Sequence, residues 1–456
     1  MKNLSHLMLA AVFALAGTHA SLAKKKKSPP EPDVKLKAEL DRKTLPADKA
    51  ERVVLKITLE PARLLPKEAA RPPVNLALVL DRSGSMTGQK LEKAKEAAVQ
   101  AVHRLGARDV VSIVTYDSAA RVLVPARSAK DVEGLVQAVR SLRAGGNTAL
   151  FAGVNLGASE VRKHLEGQYF NRLILLSDGL ANMGPSKPED LIRLGRALVK
   201  EDISVSTVGL GKGYNEDLMT GIAREGQGNL YFAETSGELP GILDAEIGDA
   251  LNVVADKARI RIELETGIRP LRLIGRQGVI RGNEVEVEIK QLYGGQEKFA
   301  LLEVEVPAGK AKEKKNLAHV VVEMEAAGDG AAFSRKVSVG CSFSEKREEV
   351  TASTNKRVAE AYVDNQLADA KDRAIALADQ GRHAEAVSEL KKLNVTIDTQ
   401  NQVWNLSGVS SRQKKFLSEV ECLERDKGLT NRNRKTWRTD NYQIQTQQKI
   451  VRADEK

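Results

Sequence analysis

The sequence predicts an α/β domain whose open, mostly parallel sheet carries helices on both faces, joined to a β-sandwich and a C-terminal helical region. Three observations predict this class. Helical and strand patterns alternate over residues 73–253, the hydrophobic period drops to two over 254–345, and helical periodicity returns from 346. Alternating strands and helices favour a parallel sheet, whereas a period of two is typical of antiparallel strands with one wet face.

The size and composition agree with several folded units. A chain of 456 residues suggests two to four domains at roughly 150 residues each. Hydrophobic residues make up 42% of the chain and aromatic residues only 4%. The core must therefore be built mainly from aliphatic side chains, as expected of stacked helices and sheets.

Residues 1–23 have the pattern of a cleaved secretory signal peptide. Lys2 gives a positive start, residues 7–16 form an apolar run, and small residues allow cleavage after Ala20 or Ala23. The run is well short of the roughly 20 residues that span a bilayer. The sequence therefore predicts an exported protein, either periplasmic or secreted and associated with the cell envelope. A basic, proline-rich linker follows at 24–32.

The segments that flank the α/β domain have distinct textures. Residues 33–72 contain segments in which apolar and charged residues alternate, as in half-buried strands. We expect these strands to join the strands of 254–345 in one β-sandwich, and a separate N-terminal sheet is the alternative. Residues 346–428 are helical and include two helices joined at Gly381, similar to a single tetratricopeptide-type hairpin. Residues 429–456 are polar and basic, and we expect them to be disordered.

Charge and cysteine content limit the partners. The net charge is +10, partly from basic segments after the signal and at the C-terminus. These segments allow weak contact with a membrane surface or a cell-wall polymer, but few aromatic residues accompany them, so we expect no nucleic-acid binding. Cys341 and Cys422 could pair in an oxidising compartment or remain separate thiols, and the sequence leaves both possibilities open.

The most informative motif follows the first buried strand. Residues 74–80 are nearly all apolar, and Asp81-Arg82-Ser83-Gly84-Ser85 comes directly after them. The carboxyl edge of an open α/β sheet is where ligands bind. Asp81 offers a carboxylate, Ser83 and Ser85 offer hydroxyls at alternate positions, and such hard oxygen ligands suit Mg²⁺, Ca²⁺ or Mn²⁺ rather than zinc.

Two further segments are predicted to lie at the same edge. A glycine turn at 145–146 precedes Thr148 and opens a helix, and the buried strand 172–177 ends in Asp178-Gly179. The first motif alone is weak, because Asp and Ser are common in turns and at helix N-termini. Thr148 and Asp178 are what make a metal site credible.

Together, these three segments resemble the metal-ion-dependent adhesion site of von Willebrand factor type A (vWA) domains. The resemblance covers about residues 73–253 and implies the open, Rossmann-like vWA fold. It also implies one divalent cation, expected to be Mg²⁺ with Ca²⁺ or Mn²⁺ as alternatives. By this resemblance Ser83, Ser85 and Thr148 bind the ion directly, and Asp81 and Asp178 bind it directly or through water. The remaining position is left for a partner's acidic group or for water.

The layout of the flanking segments is also similar to that of inter-α-trypsin-inhibitor-heavy-chain-like and bacterial extracytoplasmic proteins. The resemblance to the metal-ion-dependent adhesion site implies a binding module that engages a protein or polymer presenting a carboxylate. A scaffold or assembly subunit with an incidental metal is the alternative. We expect no enzymatic activity and no catalytic residues, because the chain lacks a Gly-x-Ser-x-Gly nucleophile elbow around Ser83 and a general base beside the five candidate ligands.

Overall fold

The structure is a computed structural model that describes residues 31–63, 71–165, 169–328, 330–404, 406 and 411–449. The signal peptide expected at 1–23 and the linker as far as residue 30 lie outside the described residues. The strands are β1 (Val34–Leu40), β2 (Thr44–Pro46), β3 (Glu51–Pro61), β4 (Val74–Asp81), β5 (Val110–Tyr116), β6 (Ala120–Ser128), β7 (Phe170–Ser177), β8 (Ile203–Leu210), β9 (Gln227–Ala233), β10 (Val253–Leu264), β11 (Arg269–Ile274), β12 (Val279–Arg281), β13 (Glu284–Tyr293), β14 (Lys298–Val306), β15 (Lys314–Ala326) and β16 (Ala332–Ser344). The helices are α1 (Gln89–His103), α2 (Val132–Arg140), α3 (Leu150–Arg162), α4 (Pro188–Lys200), α5 (Glu216–Glu225), α6 (Leu239–Ala250), α7 (Arg347–Ala352), α8 (Lys356–Asp379), α9 (His383–Val403), α10 (Ser411–Asp426) and α11 (Asn431–Thr446).

The α/β domain has a six-stranded sheet in the order β6-β5-β4-β7-β8-β9. Neighbouring strands are parallel, except that the edge strand β6 runs antiparallel to β5. Every residue of the central strands β4 and β7 is buried. This open, mostly parallel sheet confirms the predicted fold class.

Helices cover both faces of this sheet. Leu76 and Leu78 of β4 pack in a core with α1, α2 and α6. Ala77 and Val79 point to the other face and pack in a core with α3, α4 and α5. Because successive side chains of a strand alternate between faces, a strand covered on both sides is expected to be mainly apolar. This is the reason for the nearly continuous apolar run at 74–80, in which the buried Asn75 is hydrogen-bonded to Asn171 and to the Val161 carbonyl.

The β-rich part consists of two antiparallel sheets around one aliphatic core. One sheet has the order β1-β3-β14-β11 and the other β12-β13-β10-β15-β16-β2, in which only the short β16–β2 pairing is parallel. Strand β3 pairs with β14, with Leu55 opposite Leu302. The α/β domain is therefore inserted between β3 and β10, and strands from both sides of it share a core.

The C-terminal helices pack against the outer face of the smaller sheet. Val54, Ile274 and Leu301 from that sheet share a core with residues of α8, α9, α10 and α11. Helices α8 and α9 form a hairpin, and Gly381 lies between them with a φ of 74°. A positive φ is readily adopted only by glycine, which explains this residue at the turn.

The expectation of a disordered tail is wrong for residues 431–446, which form α11. Trp437 is buried, and Arg434 and Lys435 both pair with Glu216 of α5. Basic residues that the linear sequence gives no reason to place away from solvent thus pair with an acidic residue on another element, while the buried Trp437 side chain anchors the helix. Residues 450–456 lie outside the described part of the chain.

Cys341 and Cys422 are separate free thiols. Burial raises the pKa of the Cys341 thiol to about 11, which makes it a poor nucleophile at neutral pH. No helix within the described ranges is both long and apolar enough to cross a bilayer.

Candidate metal-ion site

The two candidate carboxylates follow neighbouring parallel strands. Leu80 lies opposite Leu176 in the pairing of β4 with β7, so Asp81 and Asp178 emerge side by side at the carboxyl edge of the sheet. Both residues are buried, with 0% and 2% of their surfaces exposed. Two carboxylates held together away from water require positive charge or hydrogen-bond donors nearby.

Hydrogen bonds fix the Asp81 carboxylate. Its Oδ1 accepts a bond from the Ser83 amide at 2.8 Å, and its Oδ2 accepts one from the Ser177 hydroxyl at 2.9 Å. Burial raises the pKa of Asp81, and these bonds act against that increase. Asp81 therefore organises the loop through Ser83 while remaining a potential ligand. Ser177 was not singled out from the sequence, although its place just before Asp178 at a strand end was a usable signal.

Ser83, Ser85 and Asp178 form a continuous polar chain. The Ser83 and Ser85 hydroxyls are 3.1 Å apart, and the Ser85 hydroxyl donates to Asp178 Oδ1 at 2.7 Å. Ser83 is buried, whereas Ser85 is exposed. The cluster therefore opens to solvent on the Ser85 side, where an outside group could reach it.

Thr148 lies across Gly179 from this chain. A Cβ atom placed on Gly179 would be 3.5 Å from Thr148 Oγ1 and 3.6 Å from Ser85 Oγ. The Thr148 amide donates to the Asn182 side chain at 2.8 Å, which anchors the threonine to the loop after β7. Four of the five candidate residues are thus in direct contact, and Thr148 is the outlying member.

The glycine turn before Thr148 has a steric reason. Gly146 has a φ of 81°, and a Cβ there would be 2.9 Å from the Ser118 hydroxyl. Its carbonyl accepts a bond from the Gly84 amide at 2.9 Å, which ties the turn to the first motif. Only glycine readily adopts this positive φ and also fits where a Cβ atom has no room. The turn therefore places Thr148 at this edge.

Lys90 is a site residue that sequence reasoning missed. Its ammonium, on the first turn of α1, hydrogen-bonds to Asp178 Oδ2, the oxygen that Ser85 leaves free. The lysine side chain is 39% exposed, while that of Asp178 is fully buried. A lysine on an amphipathic helix resembles any solvated residue in the sequence, so no local signal marked it.

The donor set fits a hard divalent cation. It contains two carboxylates and three hydroxyls, all oxygen, and the Lys90 ammonium shows that the Asp178 carboxylate attracts positive charge. Among the described residues, at this edge and elsewhere, no group of three or more His, Cys, Asp or Glu side chains is arranged to hold a metal ion. Metal binding at this edge would therefore depend on the serine and threonine hydroxyls as much as on the carboxylates.

The fold and this edge define the class of the domain. Residues 75–245 match the family model of the von Willebrand factor type A domain. A solved structure described as a von Willebrand factor type A protein from Catenulispora acidiphila superposes with a TM-score of 0.65 at 17% identity, over 93% of this chain and 98% of that one. The chain therefore contains a vWA domain within a larger architecture that this neighbour shares.

Two curated relatives are similar to part of this chain. An uncharacterized protein of Synechocystis is 34% identical over 168 residues, which is 37% of this chain and 39% of the relative. Human inter-alpha-trypsin inhibitor heavy chain H3 is 28% identical over 164 residues, which is 34% of this chain and 18% of the relative. The similarity thus spans well under half the length of these relatives.

Proposed function

We propose that this protein is an exported binding module that holds one divalent cation, Mg²⁺, with Asp81, Ser83, Ser85, Thr148 and Asp178. The bound cation engages an acidic group on a protein or polymer partner outside the cytoplasm. Von Willebrand factor type A domains are typically protein-interaction modules, which supports a binding role over an enzymatic one. The export signal read from residues 1–23 supports the location.

The observation that carries this proposal is the polar chain from Ser83 through Ser85 to Asp178, beside the buried Asp81. The Ser83 and Ser85 hydroxyl oxygens are 3.1 Å apart, and the Ser85 hydroxyl oxygen is 2.7 Å from Asp178 Oδ1. All three groups lie at the carboxyl edge of the sheet. In turns and at helix N-termini, Ser and Asp side chains usually bond to backbone groups. Here the Ser83 and Ser85 hydroxyls bond to each other, and Ser85 bonds to the Asp178 carboxylate. Such mutual convergence is the arrangement that a shared cation requires.

The charge balance explains why an acidic partner is expected. Three of the five donors are neutral hydroxyls, so a divalent ion at this edge keeps part of its positive charge. An ion of this kind attracts a carboxylate from outside, and Ser85 provides the exposed side from which that group can approach. The chemistry supplied by the ion is therefore electrostatic recognition.

Calorimetric titration of the purified protein with MgCl₂ tests the site. We expect Asp81→Ala to abolish binding, and Ser85→Ala to weaken it at least tenfold. Ser85→Ala is the safer variant for folding, because Ser85 is exposed. Asp131→Asn is the matched control, since Asp131 caps α2 away from the site and Asn is an equally good N-cap. Unchanged Mg²⁺ affinity in both site variants would reject the assignment.

A crosslinking pull-down from the cell envelope, with and without EDTA, tests the binding role itself. The proposal expects partners that are captured by the wild-type protein to be lost with EDTA and with Ser85→Ala. Partners that survive chelation would favour a scaffold in which the metal is incidental.

A further inference from the structure

A second candidate site lies where the α/β domain, the β-sandwich and the C-terminal helices meet. It is a cavity of about 830 Å³, lined by the end of α5, the start of β9, the segment from β11 to β14, and helices α8 and α11. This volume is within the roughly 300–1,000 Å³ of small-molecule sites. Since β9 begins here, the cavity is at the opposite end of the sheet from Asp81 and Asp178.

Two cationic side chains converge in this cavity on one oxygen atom. Arg276 Nη2 and Lys298 Nζ donate to the Thr446 carbonyl at 3.0 and 2.9 Å. Each also donates to Gln447, the arginine to its side-chain oxygen at 2.7 Å and the lysine to its carbonyl at 3.0 Å. Two like charges are thus held close together at the end of α11.

Neither cation forms an ion pair with a carboxylate of the described residues. Burial, followed by repulsion from Arg276, lowers the pKa of Lys298 to about 7. Asp249 acts in the other direction from a distance, and Arg172 adds further positive charge. The pair is therefore short of negative charge, which normally costs free energy in a buried site.

Capping of α11 accounts for part of this arrangement, because cations favour the carbonyls at a helix C-terminus. It does not account for all of it. Arg276 Nε donates to the Phe299 carbonyl at 2.9 Å, but Nη1 has no partner among the described residues. Arg224 and Arg281 line the same cavity and form no ion pair with the described carboxylates.

The carboxylates in the cavity wall are already engaged. Asp369 accepts bonds from the Gly275 amide and the Gln445 side chain. Glu286 and Glu288 both pair with Arg259. Asp369 keeps its charge, because the Gly275 and Gln445 donors are neutral, but it bonds to neither convergent cation. Arg224, Arg276, Arg281 and Lys298 line the cavity without an ion pair among the described residues, so the cavity retains an excess of positive charge.

We propose that this cavity binds a polar organic anion whose carboxylate or phosphate group is bound by Arg276 and Lys298. The planar guanidinium and the compact ammonium together suit an anion with several acceptor oxygens. The Gln291 side chain lines the remaining wall, and its oxygen is the only atom of that amide with a hydrogen-bond partner among the described residues, so its amide nitrogen suits a hydroxyl-bearing body. The volume exceeds what an inorganic ion needs, which also favours an organic body.

Calorimetry of the full chain with three probes tests this site. The probes are glucuronate, glucose 6-phosphate and glucose, which share a sugar body and differ in charge. We expect at least one of the two anions to bind at least tenfold more tightly than glucose, and their ranking separates a carboxylate from a phosphate preference. Absence of binding by both anions, or equal binding of glucose, would overturn the proposal.

Variants separate the site from general charge effects. We expect Arg276→Gln to weaken anion binding at least tenfold and Arg281→Gln, at the exposed rim, to weaken it severalfold. Arg281 takes no part in capping α11, so its variant tests the site even if Arg276→Gln unfolds. Arg347→Gln, an exposed arginine on α7, is the control and should bind as wild type. Wild-type affinity in both cavity variants would overturn the proposal.

This inference does not depend on the proposed metal site. Anion binding should persist in EDTA and in Ser85→Ala, because the two sites are at opposite ends of the sheet. Anion binding that disappears on chelation would place the anion at the proposed metal site and refute the cavity assignment.

Discussion

Lys90 should compete with the metal ion that we propose for the site. Its ammonium bonds to the Asp178 carboxylate, which is also a proposed ligand. Replacing Lys90 with Gln removes one positive charge beside that carboxylate while keeping a polar side chain of similar length. We therefore expect Lys90→Gln to bind Mg²⁺ more tightly than the wild-type protein.

The size of the effect follows from Coulomb's law. A single and a double positive charge about 5 Å apart, a reasonable separation for two cations that share a carboxylate, repel by about 1.7 kcal/mol in water and several times more at lower dielectric. The Lys90 side chain is 39% exposed and can swing away, so solvent screening keeps the effect near the low end. We expect a gain of about 1 kcal/mol, or roughly fivefold in Kd.

Calorimetric titration with MgCl₂ at low ionic strength measures this gain. Lys93→Gln is the matched control, because Lys93 is on the same helix and pairs with Glu96 instead. The difference between Lys90→Gln and wild type should shrink at about 1 M KCl, where screening acts over about 3 Å. Equal or weaker Mg²⁺ binding by Lys90→Gln at low salt would refute the reasoning.

Two further predictions concern the buried polar network that contains Arg172, Glu246 and Asp249. Burial, followed by the charge of Glu246, raises the pKa of Asp249 to about 6 from its usual 3.8, so the folded state binds more protons than the unfolded state between these values. The free energy of unfolding should therefore fall as pH rises from about 4 to 6, by up to about 3 kcal/mol, and Asp249→Asn should flatten this slope in urea denaturation. A slope that is unchanged in the variant would count against this origin. Arg172 is fully buried, 3.2 Å from Glu246, and donates to the Tyr293 hydroxyl at 2.6 Å. Arg172→Leu leaves Glu246 uncompensated and should cost about 3–5 kcal/mol in chemical denaturation, whereas adding Glu246→Leu should recover much of that loss; a single-variant loss below about 1 kcal/mol would contradict this account.

The sequence determined the fold class because each layer imposes its own hydrophobic period. The nearly continuous apolar run at 74–80 requires cover on both faces, and the structure provides it with helices on each side of β4. The same logic placed the candidate site. Strand β4 ends at Asp81, Asp178 directly follows β7, and parallel strands bring their carboxyl ends to one edge, so these two residues had to be neighbours.

Only the tertiary structure decided which polar and charged residues meet across elements. Lys90 contacts Asp178 because α1 packs beside the end of β7, a proximity that no local pattern encodes. Likewise, α11 is ordered because its basic residues reach acidic partners on α5, more than two hundred positions earlier in the chain. Hydrophobic periodicity is a local property of the sequence, whereas charge pairing depends on distances that exist only after the layers have packed. For this reason the meeting of Asp81 and Asp178 at one edge of the sheet was predictable, and the helical tail and the cationic cavity were not.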